Sequence, residues 1–332
     1  MRVTLGRVGC KLDNRNSLRT LSGTALSPAA FGTMQFGAGS DDRSSMAIYQ
    51  ACRDVGINHF DTAHAYTKGM SEQLLGHYVA AEREDVFVAT KVGYTGGADP
   101  SNLTAQFDES RQRLNLDVID LLYLHRFDPD TELERVLEWF ASQQAQGRIR
   151  YIGVSNFAAW QVMKAQSVIA PLGHVIGACQ PMYNLVKRQA ETEIFPVCMD
   201  QDIATFTYSP LGAGLLTGKY IGETINAGRF IADPRYARRY GQQDMHHTAQ
   251  GLLSLAQEHN LHPATLAVAW VMKNPSVNAP LLSARTLDQL APSLAALEYS
   301  LNDDLYAALT ALSRTPAPAT DRLEEQTSLT GA

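Results

Sequence analysis

Eight short apolar runs, each followed by a stretch with helical spacing, narrow the folds open to this chain more than any other feature. The runs lie at Thr24–Thr33, 57–61, Val86–Lys91, Ile119–Leu124, Arg150–Val154, Val175–Pro181, Ile203–Tyr208 and Ala279–Ser283. VFVATK and IDLLYL are apolar nearly throughout instead of alternating, as strands covered on both faces are. Between the runs, apolar residues recur with a helical period. Met46, Ile48, Ala51 and Cys52 do so in Arg43–Val55, and Leu74 and Leu75 follow a capping Ser71. Leu103–Leu114, Leu133–Gln146 (closed by Gly147), Ala158–Ile169 and Glu191–Asp200 continue the pattern. Helices at Thr248–His259 and Pro263–Lys273 precede the last strand, and Leu287–Leu297 and Asp303–Leu312 follow it. One long irregular stretch, Ser209 to Gln243, breaks the rhythm.

Strands alternating with helices imply a parallel sheet, either closed or open. An open, doubly wound sheet for a dinucleotide would carry GxGxxG in a strand-to-helix turn. Gly37-Ala-Gly39 and Gly212-Ala-Gly214 do not complete that spacing. The pattern therefore predicts an α/β fold, a (β/α)8 TIM barrel with extra helices and long βα loops, over residues 20–315. Residues 1–19 are polar, basic and aperiodic and are expected to form a loose arm. Residues 316–332 are expected to form a loose polar tail.

The chain has 332 residues, which a single α/β barrel accommodates. A hydrophobic content of 45% with 19% charged residues suffices for a large core. The net charge of −6 argues against a nucleic acid or an anionic membrane as partner, and no apolar run reaches the length of a membrane span. The arm lacks the apolar stretch of a secretory signal. Cys10, Cys52, Cys179 and Cys198 are scattered without a CxxC pair, which suits free buried thiols in a cytoplasmic protein.

Chemistry concentrates where strands end. Asp61, Tyr66, Lys91 and His125 all fall at or just beyond the C-terminal ends of strand runs, and a barrel gathers those ends on one rim. Singly, each has an ordinary role open to it: a turn cap, a surface aromatic, a snorkelling lysine, a core histidine. Together on one rim they read as a site. Other constellations carry less. His246-His247 and His259-x-x-His262 have no carboxylate or cysteine at ligand spacing, so no metal is expected. Arg235, Arg238 and Arg239 read as a solvated loop face.

GINHFDTAHAYTKGMSEQLLG, VFVATKVG, DLLYLHRFDP, GRIRYIGVSNF, QPMYNLVKRQAE and TYSPLGAGLLTGKY, in this order, resemble the aldo-keto reductase superfamily, over about residues 20 to 312. The resemblance is nearest to the bacterial branch that is also similar to potassium-channel beta subunits. It implies a catalytic tetrad at Asp61, Tyr66, Lys91 and His125, and a nicotinamide cofactor, NADPH more than NADH, bound without a Rossmann domain. Ser155, Asn156 and Gln180 match positions that hold the carboxamide, and Tyr208 the stacking ring. Ser209, Leu211, Gly214 and Lys219 fall where relatives wrap the pyrophosphate. Ser283, Arg285, Gln289 and Ser293 fall around the adenosine and its 2'-phosphate. The sequence departs from the family pattern at Thr67, at Ser283-Ala284 before Arg285, and at Ser293 in place of an asparagine.

Hydride reduction of a carbonyl leaves negative charge on oxygen, which needs a proton. A phenol titrates near 10 and is a weak acid at neutral pH, so an ammonium beside Tyr66 is expected to lower its pKa. Asp61 would orient Lys91, and His125 would hydrogen-bond the carbonyl oxygen. Met34, Gln35, Phe36, Tyr94, Arg126, Phe127 and Arg229 are the expected walls for a small carbonyl substrate, whose identity the loops leave open. Two other functions fit the same residues: a cofactor-sensing regulatory subunit, and an NADP-dependent sugar or alcohol dehydrogenase working oxidatively.

Overall fold

A computed structural model describes residues 17–221 and 233–325. Eight parallel strands close into a barrel in chain order. They are β1 (Ala30–Gly32), β2 (His59–Asp61), β3 (Phe87–Val92), β4 (Ile119–Leu124), β5 (Ile149–Ser155), β6 (Ile176–Gln180), β7 (Ala204–Tyr208) and β8 (Ala279–Leu282). β1 closes the ring by pairing Phe31 with Phe60 of β2 on one side and with Leu282 of β8 on the other. All residues of β3 and β4 are buried, which is why these strands read as continuous apolar runs.

The wrapping helices are α1 (Asp42–Asp54), α2 (Met70–Val79), α3 (Pro100–Leu114), α4 (Leu133–Ala145), α5 (Ala159–Ile169) and α6 (Ile194–Asp200). After β7 come α7 (Pro234–Tyr240), α8 (Gln243–Glu258) and α9 (Pro263–Lys273), and after β8 come α10 (Leu287–Leu294) and α11 (Asp303–Ala311). The larger core lies between strands and helices. A smaller one fills the barrel with Leu18, Ala30, Phe87, Ala89, Leu121, Tyr123, Ala178, Ala204, Phe206, Ala279 and Leu281. Gly153 is one place where that interior requires glycine. The ring of Tyr123, its register partner on β4, occupies the space a Cβ would take.

Four expectations need correcting. Ser209–Gln243 is not irregular throughout, because α7 lies within it, opened by the Asp233 side chain accepting from Arg235 N and by Pro234 at the first turn. Ser71 does not cap α2. The helix starts at Met70 behind Gly69, and Ser71 is buried, its hydroxyl 2.8 Å from both Thr33 and Thr62 hydroxyls. The arm does not stay loose to residue 19. Leu18 is buried inside the barrel, Arg19 bridges Ala25, and Arg150 donates to the Arg19 carbonyl at 2.9 Å. Arg150 also pairs at 2.6 Å with the buried Asp120, which Arg83 meets at 2.7 Å, so these residues close the barrel floor. The polar tail begins docked, with Thr192 donating to the Ala317 carbonyl at 3.3 Å. Residues 1–16 and 326–332 lie outside the described residues.

Among the described residues Cys52, Cys179 and Cys198 are buried and free. No helix among the described residues is long and apolar enough to cross a membrane. His262 caps α9 through Nδ1, which accepts from Ala264 N at 3.0 Å, so its side chain has a structural partner.

Candidate active site

Asp61 closes β2, Lys91 sits one residue before the end of β3, and His125 follows β4 directly. Parallel pairing aligns them: Asp61 registers with Ala89, and Lys91 with Tyr123, two residues before His125. Tyr66 comes from the turn between β2 and α2. The four side chains predicted from the sequence therefore do meet on one rim.

Lys91 is the centre. Its Nζ donates to Asp61 Oδ1 in a very close ion pair, to the Thr62 carbonyl at 2.8 Å, and to the Tyr66 hydroxyl at 3.5 Å. Asp61 is buried and its other oxygen accepts from Gln180 Nε2 at 2.9 Å. The Tyr66 ring stands edge-on to His125, 5.8 Å between centroids.

Burial opposes charge on Lys91, but Asp61 and Tyr66 outweigh it and raise its pKa, so it stays an ammonium. Burial pushes Asp61 upward against the pull of Lys91 and Gln180. For Tyr66 the expectation of a lowered pKa is corrected. Lys91 does pull it down, but burial is the larger effect and the net shift is upward. The phenol therefore stays protonated across neutral pH. Burial, with Lys91 and Arg126 nearby, pushes His125 down to about 3, so its imidazole is neutral.

His59 shares that fate deeper in the barrel. It lies between Phe87 and Phe206, neither ring nitrogen has a partner, and burial takes its pKa to about 3. In both histidines the folded value lies below the unfolded one, so the unfolded chain binds the extra proton. Stability contributed by these groups is complete above about pH 6.5 and is lost as pH falls towards 3. Each should add about 1.4 kcal/mol per pH unit to the slope within that window. Urea unfolding measured from pH 7 to 4 should show it, and His59→Leu should remove one histidine's share. An unchanged slope in the variant would rule out His59 as a source.

The residues matched to the nicotinamide also converge. Ser155 ends β5 with its hydroxyl 3.0 Å from the Gln180 carbonyl. Asn156, in the left-handed region at φ 57°, donates to the His125 carbonyl at 2.9 Å and accepts from the Tyr208 hydroxyl at 2.6 Å. Gln180 and Tyr208 end β6 and β7. Beyond Ser209 (φ 61°) and Leu211, the left-handed residues Gly212, Ala213 and Gly214 turn the chain, with Gly212 N and Gly214 N donating to the Ser209 and Leu211 carbonyls. The Lys219 ammonium packs against Gly214 where a Cβ would stand. This donor set fits a nicotinamide dinucleotide. Ser283, Arg285 and Gln289 are exposed at the start of α10, with Arg285 N donating to Gln289 Oε1 at 3.2 Å. Ser293 is set apart, buried within α10 with almost no open surface.

The substrate walls are less uniform. Tyr94 is exposed with its ring 4.8 Å from His125, and Arg126 lies 5.0 Å over Tyr94. Phe127 is half-buried, Met34 partly so, and Arg229 lies outside the described residues. Phe36 is corrected from wall to core, fully buried against Phe31 and Tyr78. Gln35 is nearly buried and accepts from Arg285 Nε at 3.0 Å, which ties the β1 loop to the last βα loop. The sequence reading missed Trp160, exposed beside Phe127 at 5.6 Å, and Tyr236 of α7, close enough to Tyr66 to influence its titration. Neither carries a local signal, since both reach the rim through the fold.

The aldo/keto reductase family model matches residues 29–314. The chain belongs to that family. It is thus an enzyme, an aldo-keto reductase that uses a nicotinamide cofactor. It is 33% identical to the "Uncharacterized oxidoreductase YrpG" of Bacillus subtilis, over 86% of this chain and 91% of that protein. It is also 33% identical to a "Probable voltage-gated potassium channel subunit beta" of Oryza sativa subsp. japonica, over 83% of this chain and 89% of that one. "Aldo-keto reductase yakc [NADP(+)]" of Schizosaccharomyces pombe is 28% identical over 80% of this chain and 81% of its own.

Proposed function

We propose that this aldo-keto reductase reduces an aldehyde or ketone to an alcohol, with Tyr66 as proton donor and NADPH as the preferred cofactor. The observation that carries the reading is the Tyr66 hydroxyl within 3.5 Å of an ammonium fixed by a buried carboxylate. The cofactor, when bound, supplies the hydride. Neutral His125 can donate to the carbonyl oxygen and hold the carbonyl for attack. Tyr66 then gives its proton to the oxygen as charge develops there, and Lys91 stabilises the phenolate left behind. Asp61 and Gln180 keep Lys91 charged and in place. Oxidation of NADPH in the presence of a panel of aldehydes and ketones tests the reaction. No oxidation across the panel, with alcohols or sugars reducing NADP+ instead, would favour the oxidative direction.

The NADPH preference rests on Arg285. Its Nε is engaged by Gln35, which fixes the side chain and leaves the outer guanidinium nitrogens for an anion at the α10 start. Charge-assisted bonds to a 2'-phosphate contribute about 1.5–3 kcal/mol, or roughly ten- to a hundredfold in affinity. Arg285→Ala should weaken NADPH by about that factor and leave NADH almost unchanged. Titrating both cofactors against both proteins checks this, and equal losses would end the phosphate reading. The relative carrying "NADP(+)" in its name supports the same preference at the level of the family.

A further inference from the structure

The turn that carries Tyr66 holds three consecutive residues in the left-handed region: Thr67 at φ 45°, Lys68 at φ 54° and Gly69 at φ 89°. Two of them carry a Cβ and one is β-branched, and the left-handed region is unfavourable for such residues. A turn of this kind persists only where its surroundings hold it. Part of the hold is local, since Thr67 Oγ1 accepts from Ser71 N at 2.8 Å. The rest comes from α3.

Arg113 reaches from α3 under the turn. Its Nη1 donates to the His64 carbonyl at 3.3 Å, two residues before Tyr66. Its guanidinium packs against Gly69, with Nε 2.6 Å from where a Cβ would stand, so a side chain at this left-handed position would displace Arg113. The guanidinium is fixed in turn by two carboxylates, Glu109 Oε2 at 2.6 Å and Glu72 Oε2 at 3.4 Å. Glu72 is completely buried, and its second oxygen accepts from Thr90 Oγ1 at 2.7 Å, on the residue next to Lys91. Glu109 Oε2 also meets His64 Nε2 at 2.8 Å. His64 N donates to the Lys91 carbonyl at 3.0 Å. The same short segment is thus held at its N–H by the strand bearing Lys91 and at its carbonyl and ring by Arg113 and Glu109.

We infer that Arg113, fixed by Glu72 and Glu109, is a positioning residue that sets the Tyr66 hydroxyl against Lys91. The inference rests on Tyr66 as proton donor. The contacts of Arg113 are with the turn and these two carboxylates. It acts through the turn, and the fork of a guanidinium matters because its two terminal nitrogens meet partners at separate positions, Nη1 the His64 carbonyl and Glu72, Nη2 Glu109. Lysine keeps the charge opposite buried Glu72, but its single nitrogen cannot occupy both positions.

Arg113→Lys is therefore the informative variant. Its kcat for carbonyl reduction should fall about tenfold through misplacement of the donor, with the cofactor Kd held within about twofold. In a Tyr66→Phe background the same change should alter the residual rate less than about twofold, because the group being positioned is gone. A tenfold drop in both backgrounds, cofactor affinity falling in step with kcat, or an unchanged kcat would each overturn the inference. If Arg113→Lys does not fold, Glu109→Gln serves instead. That carboxylate is half exposed, and its loss should lower kcat about threefold with cofactor Kd unchanged. An unchanged kcat in that variant would overturn the inference too. The two readings separate cleanly. Full turnover in Tyr66→Phe removes the proton-donor assignment, whereas an inactive Tyr66→Phe beside a fully active Arg113→Lys removes only the role of Arg113.

Discussion

Tyr66→Phe should lower carbonyl reduction by about 100- to 10,000-fold while leaving cofactor affinity intact. Phenylalanine keeps the ring that stands edge-on to His125 at 5.8 Å and removes only the hydroxyl facing Lys91. Folding should not suffer, since the ring is half-buried and its hydroxyl bond to Lys91, at 3.5 Å, is long. Lys91 keeps Asp61 and the Thr62 carbonyl as partners. Quenching of protein fluorescence by the nicotinamide should therefore persist in the variant. Wild-type turnover on a good aldehyde would show that the proton comes from elsewhere. The raised pKa of Tyr66 adds a second check on the same site. In the reductive direction the rate should hold through neutral pH and fall only in the alkaline range, where the phenol loses its proton.

What the sequence makes legible here follows from where the information is stored. Strands covered on both faces must be apolar, so β3 and β4 appear in the chain almost residue for residue. Once eight strands are placed, residues at their ends share a rim by geometry, and Asp61, Lys91 and His125 needed nothing further. The misses are of other kinds. Ser71 looks like a helix cap because hydroxyls favour that position, yet tertiary bonds to Thr33 and Thr62 draw it inside. Leu18 follows the polar run DNRNS of the arm, and no local period announces that it plugs the barrel interior. Phe36 follows the first strand like a pocket residue but turns into the aromatic cluster with Phe31 and Tyr78. The net direction of the Tyr66 pKa was likewise beyond sequence reach. It depends on how deeply the phenol is buried, which no spacing encodes. Arg113 illustrates the same limit, because its target is the backbone of a turn about fifty residues away in the chain.

Lys91→Met carries the other large effect, and it acts on stability and chemistry together. Methionine matches the lysine stem in length but leaves the buried Asp61 with Gln180 as its one remaining side-chain partner. Removing one member of a buried ion pair typically costs about 3–5 kcal/mol, because the other charge is stranded away from water. Asp61 can escape by taking up a proton, since burial already pushes its pKa upward and Lys91 no longer opposes it. Its folded pKa then lies above the unfolded value, so the native state holds the extra proton. Stability of the variant should accordingly fall as pH rises from about 4 through neutrality, opposite in sign to the histidine contribution. Urea unfolding at pH 5 and pH 8 reads this directly, and a penalty equal at both would show that Asp61 stays ionised or finds another partner. The double variant Lys91→Met with Asp61→Leu removes the stranded charge and should regain most of the stability, as buried pairs replaced by apolar residues generally do. It should regain no activity, because nothing is left to stabilise the phenolate of Tyr66. Recovery of turnover along with stability would mean that the ammonium serves the fold alone.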